Sequence, residues 1–297
     1  MARAGKPNPL FRNLTAKIAT LPMVVTALVV FVGCSLWTVV YSFTASRSLP
    51  VNDFVGFKQY DRLFSTSRWD QAVENLMLYG ILALIISFVV GFVLAAFLDQ
   101  KIRWEDTFRT IYLYPFALSF IVTGVVWQWI LDPGLGLQAA VRSLGWDSFT
   151  FNLISSPKTV IYALLLAGIW QGTGFVMVLM LAGLRGIDED IWKAARVDGI
   201  PAWKTYLVII VPMMRGFMVT ALANVASPIV RLYDLVVALT DGGPGFASDV
   251  PAKYVFDHLF ARANLGQALA GSTMMLLSVL IIVVPWAYLE FGRKKGR

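Results

Sequence analysis

The sequence predicts an all-α integral membrane protein with six transmembrane helices and both termini on the cytoplasmic side. Three observations carry that expectation. Of 297 residues, 58% are hydrophobic and only 14% are charged, against about 25% charged in soluble domains. Six apolar runs reach the roughly 20 residues that a bilayer-spanning helix needs; they cover about 21–43, 75–98, 110–131, 159–182, 216–238 and 270–291. With the N-terminus inside, segments 1–20, 99–109, 183–215 and 292–297 hold 16 Lys and Arg against 8 on the opposite face, and Arg231 lies inside a span. That asymmetry is the positive-inside pattern of a multi-pass protein in a bacterial inner membrane.

Taken in order, residues 1–20 form a cytoplasmic N-terminal segment. Residues 21–72 form the first transmembrane helix and an outside loop, 73–288 the main transmembrane domain, and 289–297 a basic cytoplasmic tail. The first run follows basic residues, as a signal peptide would. It exceeds a cleavable apolar region, and Thr44-Ala45-Ser46 is a poor cleavage signal, so an uncleaved helix is expected. The outside loop carries Asn52, Asp53, Lys58, Asp61 and Arg62, and Asp99–Arg109 alternates signs as a tight inside turn. Asp132-Pro133-Gly134 and Thr240-Asp241-Gly242-Gly243-Pro244-Gly245 are turn chemistry in outside connections. Tyr254–Ala263 is amphipathic and expected along the membrane surface. Pro22, Pro115, Pro228 and Pro285 fall in or beside spans, where each frees a carbonyl that neighbouring helices or water must satisfy.

The exclusions are sharp. Net charge +7 is explained by its sidedness and calls for no nucleic acid. Cys34 is the single cysteine, so neither an intrachain disulfide nor a cysteine metal site exists. There is no glycine-rich phosphate loop ending in Gly-Lys-Ser/Thr, no zinc-protease helix and no Gly-x-Ser-x-Gly elbow. The single histidine, His258, is expected in a solvated outside loop. No catalytic or metal-binding residue is assigned, leaving transport, channel or scaffold roles.

One segment stands apart. Eight charges lie between Arg185 and Lys204, namely Arg185, Asp188, Glu189, Asp190, Lys193, Arg196, Asp198 and Lys204. At roughly 3 kcal/mol each at the bilayer centre, placing them in lipid would cost on the order of 20 kcal/mol. The segment 185–212 must therefore sit in water, as two short helices joined by a turn. Gly199 can take φ > 0 to end the first helix, and Asp198 can hold the turn by side-chain hydrogen bonding.

Residues 193–212 resemble the coupling motif of the membrane subunits of binding-protein-dependent ABC importers, Glu-Ala-Ala-x-x-Asp-Gly followed by an aromatic, an Ile and a Pro. Ala194, Ala195, Asp198, Gly199, Ile209 and Pro212 match, and Tyr206 stands for the aromatic; position 193 is Lys where the family usually has Glu. The resemblance covers about residues 70–290, and with the Thr240–Gly245 turn it looks like the carbohydrate branch. Tyr112–Ser119 with Leu131–Gly136 look closest to glucose/mannose permease subunits. It implies a type I ABC importer transmembrane domain. The implied partners are a second homologous permease subunit, an ABC ATPase dimer and an extracytoplasmic sugar-binding protein. It also implies no cofactor on this chain, ATP and Mg being used by the ATPase. In place of the family's Glu, Asp188, Glu189 and Asp190 offer a compensating acidic edge beside Lys193.

The resemblance places substrate contacts on the spans flanking this segment. On the earlier one, Gly168, Gly172 and Phe175 share a face with Gln171 beside it; the same glycines also suit helix packing. On the later one, Pro228, Ile229, Arg231 and Leu232 fall at substrate depth, with Arg231 and Asp234 spaced to pair. Disaccharide or glycerol phosphate import, and a passive sugar facilitator, remain the alternatives to a monosaccharide importer.

Overall fold

The computed structural model describes residues 14–100 and 102–294, with side chains over 18–100 and 102–281. Residues 1–13 of the expected N-terminal cytoplasmic segment 1–20, and the side chains of the basic tail, lie outside the described residues. The chain divides into two units, Met1–Leu63 with His258–Arg297, and Phe64–Asp257.

In the first unit, α1 (Leu14–Ala27) continues through a π-helical stretch, Leu28–Gly33, into α2 (Cys34–Tyr41). The apolar rod Ile18–Tyr41 is long enough to span a bilayer, and its side chains are exposed along it, Phe31 at 73% and Met23 at 70%. Such a face is stable only against lipid or another protein. Beyond it the chain turns through an isolated antiparallel bridge, Thr44 to Phe54, and enters α3 (Lys58–Phe64). A π-helical turn, Asp257–Ala261, then leads to α15 (Leu265–Lys294), which packs on α2. The orphan amides of the first turn of α15 are satisfied by the loop: Leu265 N–H donates to the Arg47 carbonyl (3.0 Å) and Gly266 N–H to that of Ser46 (2.8 Å). His258 is buried at 3% and has a partner, contrary to the solvated loop expected, because the chain coils there instead of extending.

The second unit is built on α4 (Ser67–Asp99) and α8 (Val160–Arg185). They run parallel, since Tyr79 meets Gly168 and Gly91 meets Val176 further along. Two apolar clusters hold them. One joins Tyr79, Ala83, Leu164, Leu232, Leu235 and Leu239; the other joins Leu98, Val176, Met180, Leu184, Ile210 and Met214.

The third apolar run is not one straight helix. α5 (Glu105–Leu113) and its 3₁₀ turn Tyr114–Ala117 meet α6 (Phe120–Leu131) at a 101° break. Pro115 enters the tight turn, Leu118 and Ser119 are extended, and the Ser119 hydroxyl accepts from Val122 N–H (3.2 Å), restarting the helix as an N-cap. The fifth run also breaks. α12 (Arg215–Val230) stops short of α13 (Asp234–Leu239), which packs on α6 with Gly124 against Ala238. Between α6 and α8 the connection holds a short helix, α7 (Leu137–Ser143).

After the Thr240–Gly245 turn comes α14 (Pro251–Phe256). It is not a surface-lying helix: Tyr254 is fully buried, edge-on to Trp69 at 5.2 Å. Among the described residues, three helices are long and apolar enough to cross a membrane, or five when each bent pair counts as one span.

Candidate functional site

The charged segment starts where α8 ends. Asp188 caps α9 (Glu189–Val197), its side chain accepting from Asp190 N–H (2.9 Å), and Glu189 and Asp190 lie in the first turn, where the helix dipole favours anions. Lys193 faces back to this acidic turn, 3.0 Å from Asp190 and 3.9 Å from Glu189. The lysine is thus neutralised within its own helix, while Asp188 serves as a cap.

The helix ends in a Schellman closure. Gly199 has φ +67°, its N–H donates to the Arg196 carbonyl (3.1 Å), and Ile200 N–H reaches back to that of Ala195 (3.0 Å). Asp198 contributes through its backbone N–H, bonded to Ala194 (2.9 Å), rather than through the side-chain bond expected of it. The chain then enters α10 (Ala202–Lys204), a π-helical stretch Thr205–Ile210, and α11 (Val211–Met213). Pro212 sits in the first turn of α11, and at Met214 the path bends by 76° into α12.

Packing fixes this elbow against the spans. Tyr206 stands between Trp192 (5.1 Å) and Phe92 (6.1 Å), both edge-on, which explains an aromatic at that position. Ala195 is buried, Ile209 leans on the lower core, and Ile210 is fully enclosed. Arg185 binds Glu105 at 2.7 Å and lies 3.9 Å from Asp99, tying the end of α8 to the α4–α5 connection. The sequence separation hid that strut. By contrast Val197 is 87% exposed and Trp203 66%, an apolar tip facing outward. A cleft of about 970 Å³ beside it is lined by Asp99, Glu105, Arg185, Trp192, Arg196 and Tyr206.

The expected path residues divide. Gln171 is buried at 3%, and its amide donates 2.7 Å to the carbonyl of Leu118, the one exposed by the break between α5 and α6. Irregular backbone at membrane depth needs such a partner or a water-lined cavity. Its Oε1 has no partner among the described residues. Phe175 stacks on Phe116 at 4.5 Å, so α8 holds the broken helix by two side chains in succession. Gly168 is a packing position, where a Cβ would stand 2.0 Å from the Tyr79 hydroxyl; at Gly172 a Cβ would meet nothing within 4 Å. The two glycines, a single face in sequence, separate into packing and open space.

On the other limb, Pro228 lies within the last turn of α12, Ile229 packs beside Gly80, and Leu232 is buried in the upper core. Arg231 does not pair with Asp234. Its guanidinium donates to the Ser227 hydroxyl (3.2 Å), because the helix ends at Val230 and the i,i+3 geometry is lost. Arg231 and Asp234 are both exposed.

A further network went unread in the sequence. Arg68 at the start of α4 is 6% exposed, binds Asp249 at 2.5 Å and also Asp257, and lies 4.6 Å from the Phe246 ring centroid. Lys253 adds ion pairs to Asp257 (3.0 Å) and Asp241 (3.3 Å), and Asn75 donates to the Asp249 carbonyl (2.9 Å). Together they clamp the loop 240–257 onto α4.

Burial drives the Asp257 carboxyl up, but hydrogen bonds from Arg68 and Lys253 outweigh it and hold it below its ordinary range. Asp249, fully enclosed, is held above that range, burial outweighing Arg68. Asp257 therefore adds stability above about pH 4 that is lost as pH falls through its lower folded value, and Asp249 acts in the opposite sense. Asp257→Asn should flatten the acid loss of the unfolding midpoint below about pH 4. Equal acid sensitivity in the two proteins would dismiss that role.

Known proteins resemble this chain in sequence and fold. The chain is 34% identical over 258 residues to a probable ABC transporter permease of Pyrococcus horikoshii, covering 86% of this chain and 88% of that one. It is 30% identical to the xylose/arabinose import permease of Haloferax volcanii, over 91% and 86%. The glucose import system permease of Saccharolobus solfataricus is 28% identical, over 85% and 88%. The fold matches a chain of a solved bacterial ABC transporter involved in alginate import, with TM-score 0.79 at 18% identity, covering 95% of this chain and 98% of that chain. The family model described as the binding-protein-dependent transport system inner membrane component matches residues 87–290, spanning α8, the charged elbow and both broken limbs. The chain belongs to that family, and is a membrane component of a binding-protein-dependent transport system.

Proposed function

We propose that this chain is a permease subunit of an ATP-driven sugar importer in a bacterial cytoplasmic membrane, with six spans and both termini cytoplasmic. It works beside a second homologous permease subunit, an ABC ATPase dimer and an extracytoplasmic sugar-binding protein. ATP and Mg are used on the ATPase, and residues 185–212 receive its closure.

The observation that carries this reading is the elbow itself. It combines a Schellman-closed turn, a tripled aromatic anchor to the spans, and an exposed apolar tip at Val197 and Trp203 that no described residue covers. Exposed apolar side chains on a rigid charged element suit a partner cleft. Transmission follows from the packing: a push on α9 reaches α4 through Trp192, Tyr206 and Phe92, and the Arg185–Glu105 strut ties the end of α8 to α5. Gln171 and Phe175 then carry it to the 118–119 break, beside the open position at Gly172.

The named relatives that import xylose and arabinose, and glucose, support a monosaccharide cargo, and the glucose permease supports the glucose/mannose type. The test is purification of the assembled complex, followed by sugar-dependent ATP hydrolysis with the binding protein present. Glucose or mannose should stimulate hydrolysis, and disaccharides should do so weakly. Val197→Asp should cut the stimulated rate about tenfold through lost docking, with the permease still folded. Sugar movement by this chain without any ATPase would instead make it a passive facilitator.

A further inference from the structure

A second cavity lies in the first unit, well away from the elbow in sequence. It measures about 340 Å³, and four of its nine lining residues are cations, Arg47, Lys58, Arg62 and Arg262, with no carboxylate among them. No ion pair involving Arg47, Lys58 or Arg262 occurs among the described residues, and all three are exposed. These three like charges around so small a volume repel one another unless an anion enters.

Gln59 also lines the cavity and is 3% exposed. Its amide nitrogen donates to the Thr44 carbonyl (2.9 Å), while its Oε1 has no partner among the described residues. An anion that also carries a hydroxyl donor answers both features.

The cavity stands at a membrane boundary. The apolar rod ends with Trp37 and Tyr41, aromatic residues of the kind that settle at headgroup level. Arg47 follows six residues later, and its carbonyl receives the first turn of α15. In the same loop Leu49, Val51, Phe54 and Phe57 are 52–73% exposed. Cations around a small cavity, with bare apolar side chains alongside, suit an amphiphile better than a free ion or a flat protein surface.

We propose that this cavity binds the headgroup of an anionic phospholipid, with the phosphate held by Arg47, Lys58 and Arg262 and a headgroup hydroxyl facing Gln59. The phosphoglycerol class has both groups. The proposal rests on the chain being embedded in a membrane and not on the cargo or the ATPase. Sugar-dependent ATP hydrolysis, measured separately, therefore tells its failure from failure of the importer reading.

The experiment is native mass spectrometry of the delipidated, assembled complex titrated with phosphatidylglycerol. Phosphatidylcholine serves as the neutral control, and inorganic phosphate and glycerol 1-phosphate as soluble competitors. Wild type should retain phosphatidylglycerol over phosphatidylcholine, and Arg47→Gln with Arg262→Gln should weaken that retention about tenfold or more. Lys158→Gln, an exposed cation elsewhere, should leave it unchanged. Gln59→Leu should keep anionic lipid but lose preference for phosphatidylglycerol over phosphatidic acid. Equal retention of the two lipids by wild type, or full retention by the double variant, overturns the proposal. So does competition by the soluble phosphates at matched concentration, which would mark a free-anion site. Loss of binding-protein docking in the double variant with lipid retention unchanged would assign the patch to a protein instead.

Discussion

Arg68→Ala will lower the stability of the protein by about 3–5 kcal/mol, because it leaves a carboxylate buried without its counter-charge. The Arg68 and Asp249 side chains are 7% and 0% exposed, and their bond joins residues 181 apart in sequence. Asp257 keeps Lys253 after the substitution, so its cost is smaller. Among the described residues Asp249 keeps one side-chain hydrogen bond, from the N–H of Val250 at 3.1 Å, and the more distant charge of Lys253. The loop 240–257 should then detach from α4, together with Phe246 and Tyr254, whose rings flank the guanidinium. In detergent the unfolding midpoint should fall on the order of 10 °C. The double variant Arg68→Met with Asp249→Leu should recover most of the loss, since a fully apolar replacement removes the unpaired charge. A single variant as stable as wild type would show that the network is not buried as described.

Gly174→Val is expected to be the more damaging change for assembly. A Cβ at residue 174 would lie 1.8 Å from the Tyr112 carbonyl oxygen and 2.6 Å from its carbon, with Leu113 Cα at 3.1 Å. These are backbone atoms of α5, so no rotamer change relieves the clash. The helix must move off α8, at a cost of at least the 1–3 kcal/mol of ordinary overpacking. That movement also separates Gln171 from Leu118 and Phe175 from Phe116, the contacts that support the broken limb. Gly172→Ala provides the contrast, because its added methyl meets nothing within 4 Å. It should leave the unfolding midpoint unchanged, while a larger Gly172→Leu should obstruct transport in folded complexes. Equal destabilisation by the alanine at 172 and the valine at 174 would refute the close approach.

The helical membrane class and the elbow were legible in the sequence because both rest on local quantities. Apolar length and the sidedness of Lys and Arg define membrane-spanning chain, and the cost of charge in lipid forces 185–204 into water. Gly199 ends α9 for a reason present in the residue itself, the absence of a Cβ at φ +67°. Its neighbour acts otherwise than its residue type suggests, since Asp198 offers an exposed side chain and a backbone donor to the turn. Apolar length also concealed the breaks at 118–119 and 231–233, because hydropathy measures burial in lipid and is blind to backbone direction.

What the sequence determined by itself is therefore the class of structure and the element exposed to water. The tertiary structure alone decided which polar groups meet. Arg231 looked destined for Asp234 and binds Ser227; Gln171 looked free for a ligand and supports the Leu118 carbonyl; Arg68 found Asp249 across most of the chain. The physical reason is common to all three. Polar side chains bond only within short reach, and what stands within that reach is set by where the helices break and pack.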